Sequence, residues 1–230
     1  MQFYFDTEFT GLQKNTDLIS IGIISDNGDF FYAELTDYDK SKCDDWIREN
    51  VIENLLLGDI SKTCKFDSSC RNMIVKGNKT EVREMLIRWL KLQSPIPVWQ
   101  FISDVSHYDF VLLIDLLSNG KTIFDCPDEL SPVCIDINSF ISSYFNISER
   151  KAFDANRERV YNILLKKEYP ELFEKFSHME ELDTRKHNAL FDALVIIEIN
   201  KIIGTGFGTV NILSKKFQMM LDKIEELKKS

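Results

Sequence analysis

The dipeptide Asn27-Gly28 constrains the fold of this chain more than any other short segment. After Asp26 it forms a turn signal, and Asn-Gly is the strongest short cue for a β-hairpin because it tolerates the positive φ angles of a two-residue loop. The flanking runs fit that reading. Asp17 to Ser25 reads Asp-Leu-Ile-Ser-Ile-Gly-Ile-Ile-Ser, and Asp29 to Leu35 resumes as a strand. A third β-rich run, Gln2 to Asp6, precedes both. The chain is therefore expected to open as a three-stranded antiparallel meander.

Helical periodicity takes over downstream. Asp44 can cap a helix through about Leu57, with Trp46, Ile47, Val51, Leu55 and Leu56 as its apolar positions. Gly58 to Gly77 shows little periodicity and reads as a long loop. Asn78 and Glu81 form a capping box for a helix through Leu92, which Pro95 and Pro97 stop. Val98 to Ile102 is a strand, followed by a helix from about Val105 to Leu117 that ends at Asn119-Gly120. Val133 to Ile137 is a strand leading into a helix through Tyr144. Ala152 to Phe176 is helical with a break at Pro170, and His187 to Ile203 forms the strongest helix. Strands first, then strand and helix in alternation, indicate an α/β fold with a mixed five-stranded sheet flanked by helices.

Gly204, Gly206 and Gly208 form a joint before a final helix. This divides the chain into a domain over residues 1–203 and a helical extension over 204–230. The last helix carries Leu213, Phe217, Met220, Ile224 and Leu227 at spacings of four and three, a narrow apolar seam. Its default use is packing back on the domain; a homodimer or another partner is the alternative.

Composition excludes several classes. The chain has 230 residues, 44% of them hydrophobic, enough for one large core. No apolar run is long enough to span a bilayer and no signal-like stretch precedes the first strand, so a cytoplasmic protein is expected. The five cysteines lack a Cys-x-x-Cys pair and read as reduced thiols. A net charge of −9 argues against coating nucleic acid by bulk electrostatics. Two locally basic stretches, Lys62 to Lys79 and Arg150 to Lys167, read first as solvated faces and second as phosphate contacts.

The chemistry-bearing residues lie in distant segments. Residues two apart in a strand share a face, so Asp6 and Glu8 present paired carboxylates at the end of the apolar run Phe3-Tyr4-Phe5. Asp109 sits in the first turns of its helix, where an acid also favours the helix dipole; Asp104 reads as the cap of that helix. Asp192 lies in an almost wholly apolar helix, so its carboxylate needs a cation or hydrogen bonds. A partner Lys or Arg is the plain explanation and a metal ion the sharper one. His187, one of three histidines, stands five residues before it.

Asp6-Thr7-Glu8-Phe9-Thr10-Gly11-Leu12, Tyr108-Asp109 and His187-Asn188-Ala189-Leu190-Phe191-Asp192 resemble, in order, the three motifs of the DEDDh (DnaQ-like) 3′-5′ exonucleases. The first motif also resembles that of oligoribonucleases. The aromatic-rich start, the early helix with Trp46 and the Tyr108-Asp109 context are most similar to the small bacterial exoribonuclease branch described from mycobacteria. The resemblance implies a ribonuclease H-like fold and, as the leading reading, a 3′-5′ exoribonuclease that releases nucleoside 5′-monophosphates, with single-stranded RNA or DNA 3′ ends as its partners. It further implies two Mg²⁺ or Mn²⁺ ions held by Asp6, Glu8, Asp109 and Asp192, with His187 as the general base. Phe9 and Leu12 would grip the terminal nucleotide, with Gly11 and the Thr7 backbone beside it. Many relatives carry Asn a few residues before the second-motif Asp, where this chain offers Asp104. A DNA exonuclease or proofreading enzyme is the runner-up, and a non-catalytic nucleic-acid-binding module the alternative from another class.

Overall fold

The computed structural model describes residues 1–58, 60–93, 98–176, 187–204 and 213–229. Pro95, Pro97, Gly206 and Gly208 lie outside the described residues. The strands are β1 (Gln2–Phe9), β2 (Leu18–Ser25), β3 (Phe30–Leu35), β4 (Thr63–Phe66), β5 (Met73–Gly77), β6 (Gln100–Ser103) and β7 (Ile135–Asp136). The helices are α1 (Asp45–Asn50), α2 (Lys79–Gln93), α3 (Ser106–Leu117), α4 (Ile137–Phe145), α5 (Glu149–Phe153), α6 (Arg157–Glu168), α7 (Pro170–Phe176), α8 (Ala189–Ile203) and α9 (Leu213–Lys229).

The fold is α/β, with a mixed sheet in the order β4-β5-β3-β2-β1-β6-β7. β1, β2 and β3 form the expected antiparallel meander, and β6 and β7 add parallel on the β1 side. These five strands are the ones read from the sequence, in an order compatible with a ribonuclease H-like fold. The sheet nevertheless has seven strands, not five. Residues 58–77, expected as a loop, supply β5, parallel to β3, and the edge strand β4, antiparallel to β5. Their connection is a tight turn around Asp67, whose carboxylate accepts from Ser69 Oγ, the Arg71 backbone N–H and Asn72 Nδ2.

Two other expectations shift. The helix read from Asp44 to Leu57 is the short α1 followed by a 3-10 turn at Ile52–Asn54, although Asp44 does cap it. The segment 152–176 is not one helix broken at Pro170. Ser148 caps α5, Asn156 caps α6, and Pro170 begins α7, a first-turn position that costs it no hydrogen bond.

Alternation along β1 builds two cores. Phe3 and Phe5 pack with Trp89 and Phe101 against α2 and α3, whereas Tyr4 faces the opposite layer of α4, α6, α8 and α9. The α9 seam lies in that second layer: Leu213, Phe217, Met220, Ile224 and Leu227 are buried, and Phe217 meets Phe191 edge-on at 5.0 Å. The seam thus packs on the domain, the default reading. The five cysteines are free thiols. Among the described residues no helix is long and apolar enough to cross a membrane.

One glycine sets the approach of α8 to the sheet. A Cβ on Gly22 would come within 2.4 Å of backbone atoms of Ala189 and Leu190. Gly22 pairs with Asp6 across the β1–β2 ladder. The first turn of α8 therefore rests directly beside the strand that carries the paired acids.

Candidate active site

β1 emerges from the core with Asp6 and Glu8 on the face toward α8, while Thr7 turns to the α3 side. Thr7 Oγ1 donates to Asp109 Oδ1 at 2.7 Å, tying the strand end to α3. Asn188 caps α8 by accepting from the backbone N–H groups of Leu190 and Phe191. The Asp192 carboxylate accepts from the His187 backbone N–H, so the helix entry and the acid are held together. His187 itself has φ +64°, a left-handed conformation that turns the chain just before α8 begins and is costly for a residue with a Cβ.

All nine residues singled out by sequence meet in one cleft of about 760 Å³: Asp6, Thr7, Glu8, Phe9, Gly11, Leu12, Asp109, His187 and Asp192. Asp6, Glu8 and Asp192 bring carboxylate oxygens within 4.8 Å of one another, and Asp6, Asp104 and Asp109 form a second such group. Asp6 belongs to both. Asp192 thus faces the other acids, and among the described residues no Lys or Arg pairs with its carboxylate.

Asp104 is not the cap of α3. Val105 occupies that position without a side-chain cap bond, while Asp104 Oδ2 accepts from Arg157 Nε at 2.8 Å. Arg157 Nη1 also donates to the carbonyls of Ala152 and Ala155, and Nη2 to Asn138 Oδ1. The start of α6 therefore delivers a largely buried guanidinium to the acidic cleft. Arg157, Trp46 and Glu158 complete parts of the wall that the sequence reading missed. Trp46, expected on the apolar face of its helix, is 53% exposed and meets the His187 ring edge-on at 4.7 Å.

The electrostatics are those of crowded anions. Asp6 and Glu8 are pushed well above the usual carboxylate range, first by burial and then by their acidic neighbours. Asp192 is raised by burial and by the charges of Asp104 and Glu158. Asp109 is pushed up to about 8 by burial and by Asp104. Asp104 is raised by burial, with the Arg157 guanidinium opposing that effect. Asp109 is 1% exposed, and its Oδ2 has no hydrogen-bond partner. A buried carboxylate oxygen left in that condition is costly unless a cation or a donor meets it. The donor set is entirely hard oxygen, which suits Mg²⁺ or Mn²⁺ rather than zinc.

The basic stretches are largely engaged in ion pairs: Lys62 with Glu81, Lys76 with the buried Glu34, and Arg157 with Asp104.

No protein-family model matches the chain. Two curated proteins named 3′-5′ exoribonuclease, from Mycobacterium tuberculosis strains CDC 1551 / Oshkosh and ATCC 25618 / H37Rv, are each 34% identical to it over 55 residues. That segment is 24% of this chain and 33% of either relative. The chain thus matches about a third of the length of these curated relatives. The likeness supports a nuclease, and it does not extend to the DEDDh subdivision that the three motifs resemble.

Proposed function

We propose that this chain is a metal-dependent 3′-5′ exoribonuclease that releases nucleoside 5′-monophosphates from single-stranded ends. The observation that carries the reading is the convergence of Asp6, Glu8, Asp109 and Asp192, with His187, on one cleft. The partial likeness to mycobacterial proteins named 3′-5′ exoribonuclease supports the exonuclease part of this reading.

The residues fit a pair of divalent ions on structural grounds. The four carboxylates repel one another, and Asp109 keeps a buried oxygen without a donor. Asp6, Glu8 and Asp192 would hold one ion, and Asp6 with Asp109 and Asp104 the other. When bound, such ions supply positive charge to the scissile phosphate, lower the pKa of water and stabilise the leaving 3′-oxygen.

The remaining work falls to the chain itself. His187, in the wall of the cleft, accepts the proton of the attacking water, a role worth about 10²–10⁴ in rate. Thr7 fixes the Asp109 carboxylate by its hydroxyl. Phe9 offers a ring to the terminal base, and the exposed Leu12 wedges beside it. Gly11, at φ +145°, lets the intervening backbone lie close to the sugar and phosphate.

The test is digestion of end-labelled RNA, with a matched DNA oligonucleotide in parallel. The expected result is stepwise shortening from the 3′ end in Mg²⁺ or Mn²⁺, absent in excess chelator and in Asp6→Ala. Full activity of Asp6→Ala would refute the metal-dependent mechanism. Preference for the DNA arm would replace the RNA assignment with a DNA exonuclease. Binding of both oligonucleotides without turnover in either ion would instead identify a non-catalytic module.

A further inference from the structure

We propose that Tyr108, His107 and Phe153 form a stacking track, continuing outward from Phe9, that binds the bases upstream of the terminal nucleotide of a single-stranded substrate. The proposal rests on the exonuclease reading and names a binding surface outside the catalytic cleft.

The rings form an unbroken line. Phe9 stacks on Tyr108 with centroids 5.4 Å apart and planes 12° from parallel. Tyr108 meets His107 at 5.2 Å, and His107 meets Phe153 at 5.8 Å. The Arg150 guanidinium lies 5.9 Å from the centre of the Phe153 ring. The line begins on β1 at a residue that lines the cleft, crosses the start of α3, and ends on α5. Tyr108 is fixed to the lip of the cleft because its hydroxyl donates to the Leu12 carbonyl at 3.1 Å.

Core packing does not explain the outer half. His107 is exposed and Phe153 is 38% exposed, whereas the rings of Phe3, Phe5 and Phe101 are fully buried. An aromatic line of this kind keeps ring area in water, and bases are suitable partners because each presents a π face regardless of sequence. Continuity with the cleft selects the occupant: the track starts at Phe9, which lines the same cleft as Asp6, Glu8 and Asp192. Charge at the far end agrees. Arg150 and Lys151 both stand there, exposed, where a phosphate would pass. Arg150 pairs with Asp154 at 2.8 Å, but both side chains are largely in water, where such a pair is weak and readily exchanged.

The experiment compares a dinucleotide with a heptanucleotide of the same terminal sequence, using the full chain in Mn²⁺. The double variant His107→Ala/Phe153→Ala should raise KM for the heptanucleotide by roughly tenfold, leaving its kcat and the dinucleotide kinetics near wild type. Phe153→Trp, which keeps a ring, should retain wild-type KM; an unchanged melting temperature shows that the fold survives. Equal effects on both lengths, or none on either, would overturn the track. If the wild type cleaves neither oligonucleotide, the exonuclease reading falls, and fluorescence anisotropy of a labelled heptanucleotide decides the track separately. Weaker binding by the double variant supports it, and unchanged binding removes it.

Discussion

Oδ2 of Asp109 is buried without a hydrogen-bond partner, although Thr7 satisfies the other oxygen of the same carboxylate. That asymmetry gives the residue opposed roles in folding and function. Without ions, Asp109→Asn relieves anion crowding and should raise the melting temperature at pH 8, read by calorimetry. The same substitution should abolish most of the Mn²⁺-induced rise and reduce RNA turnover. His187 separates differently: His187→Asn should lower kcat by about 10²–10⁴ yet preserve the thermal response to Mn²⁺, because it gives no oxygen to an ion. Loss of that response would make His187 part of the ion site instead of a base. Asp6, Glu8 and Asp192 stand out in sequence by their local settings, such as a lone acid in an apolar helix, whereas Asp109 reads locally as an ordinary helix-start acid and Thr7, Phe9, Gly11 and Leu12 are picked out by the resemblance of the first motif. Asp104 does not stand out. Its position before a helix reads locally as a cap, and only Arg157, from a different helix, shows where it points.

At the scale of elements, the placement of Asp192 depends on how closely α8 approaches β2. Gly22→Ala would drive a methyl group into the backbone of Ala189 and Leu190, so α8 must shift. Overpacking of this kind costs about 1–3 kcal/mol, and denaturant unfolding should show a loss in that range. RNA turnover should fall further than stability alone accounts for, since Asp192 moves with its helix. Arg157 does similar work from α6. Arg157→Met strips Asp104 of its cation and leaves an uncompensated acid, a change that costs about 3–5 kcal/mol when a buried pair is broken. Chemical denaturation checks that figure. The long helices and the meander were readable because their periodicity extends over many residues. β4 and β5 were hidden by brevity: β4 has four residues of alternating exposure, and β5 owes its burial to pairing with β3. The three helices between Glu149 and Phe176 share one apolar side, so their separate caps at Ser148 and Asn156 were submerged in a single pattern.

For the whole molecule, the acid cluster links stability to pH and to divalent ions. Asp6, Glu8, Asp109 and Asp192 all have raised folded pKa values. Between the unfolded carboxylate range, about 4, and the folded value of about 8 for Asp109, the native state holds more protons than the unfolded chain. Stability contributed by these groups must therefore fall as pH rises through that window. Metal-free protein should melt progressively lower from pH 5 to pH 8, and Mg²⁺ or Mn²⁺ should reverse most of the loss, with the largest gain at the alkaline end. A melting temperature indifferent to ions at pH 8 would be incompatible with a bound pair.

The contact at Gly22 also bears on how such a chain can diverge. With only a hydrogen atom between strand and helix, there is no spare volume at that crossing to absorb a substitution. In a saturation library, variants at position 22 should be lost even under selection for abundance alone, whereas the surface positions His107 and Phe153 should accept many replacements until selection is placed on long substrates.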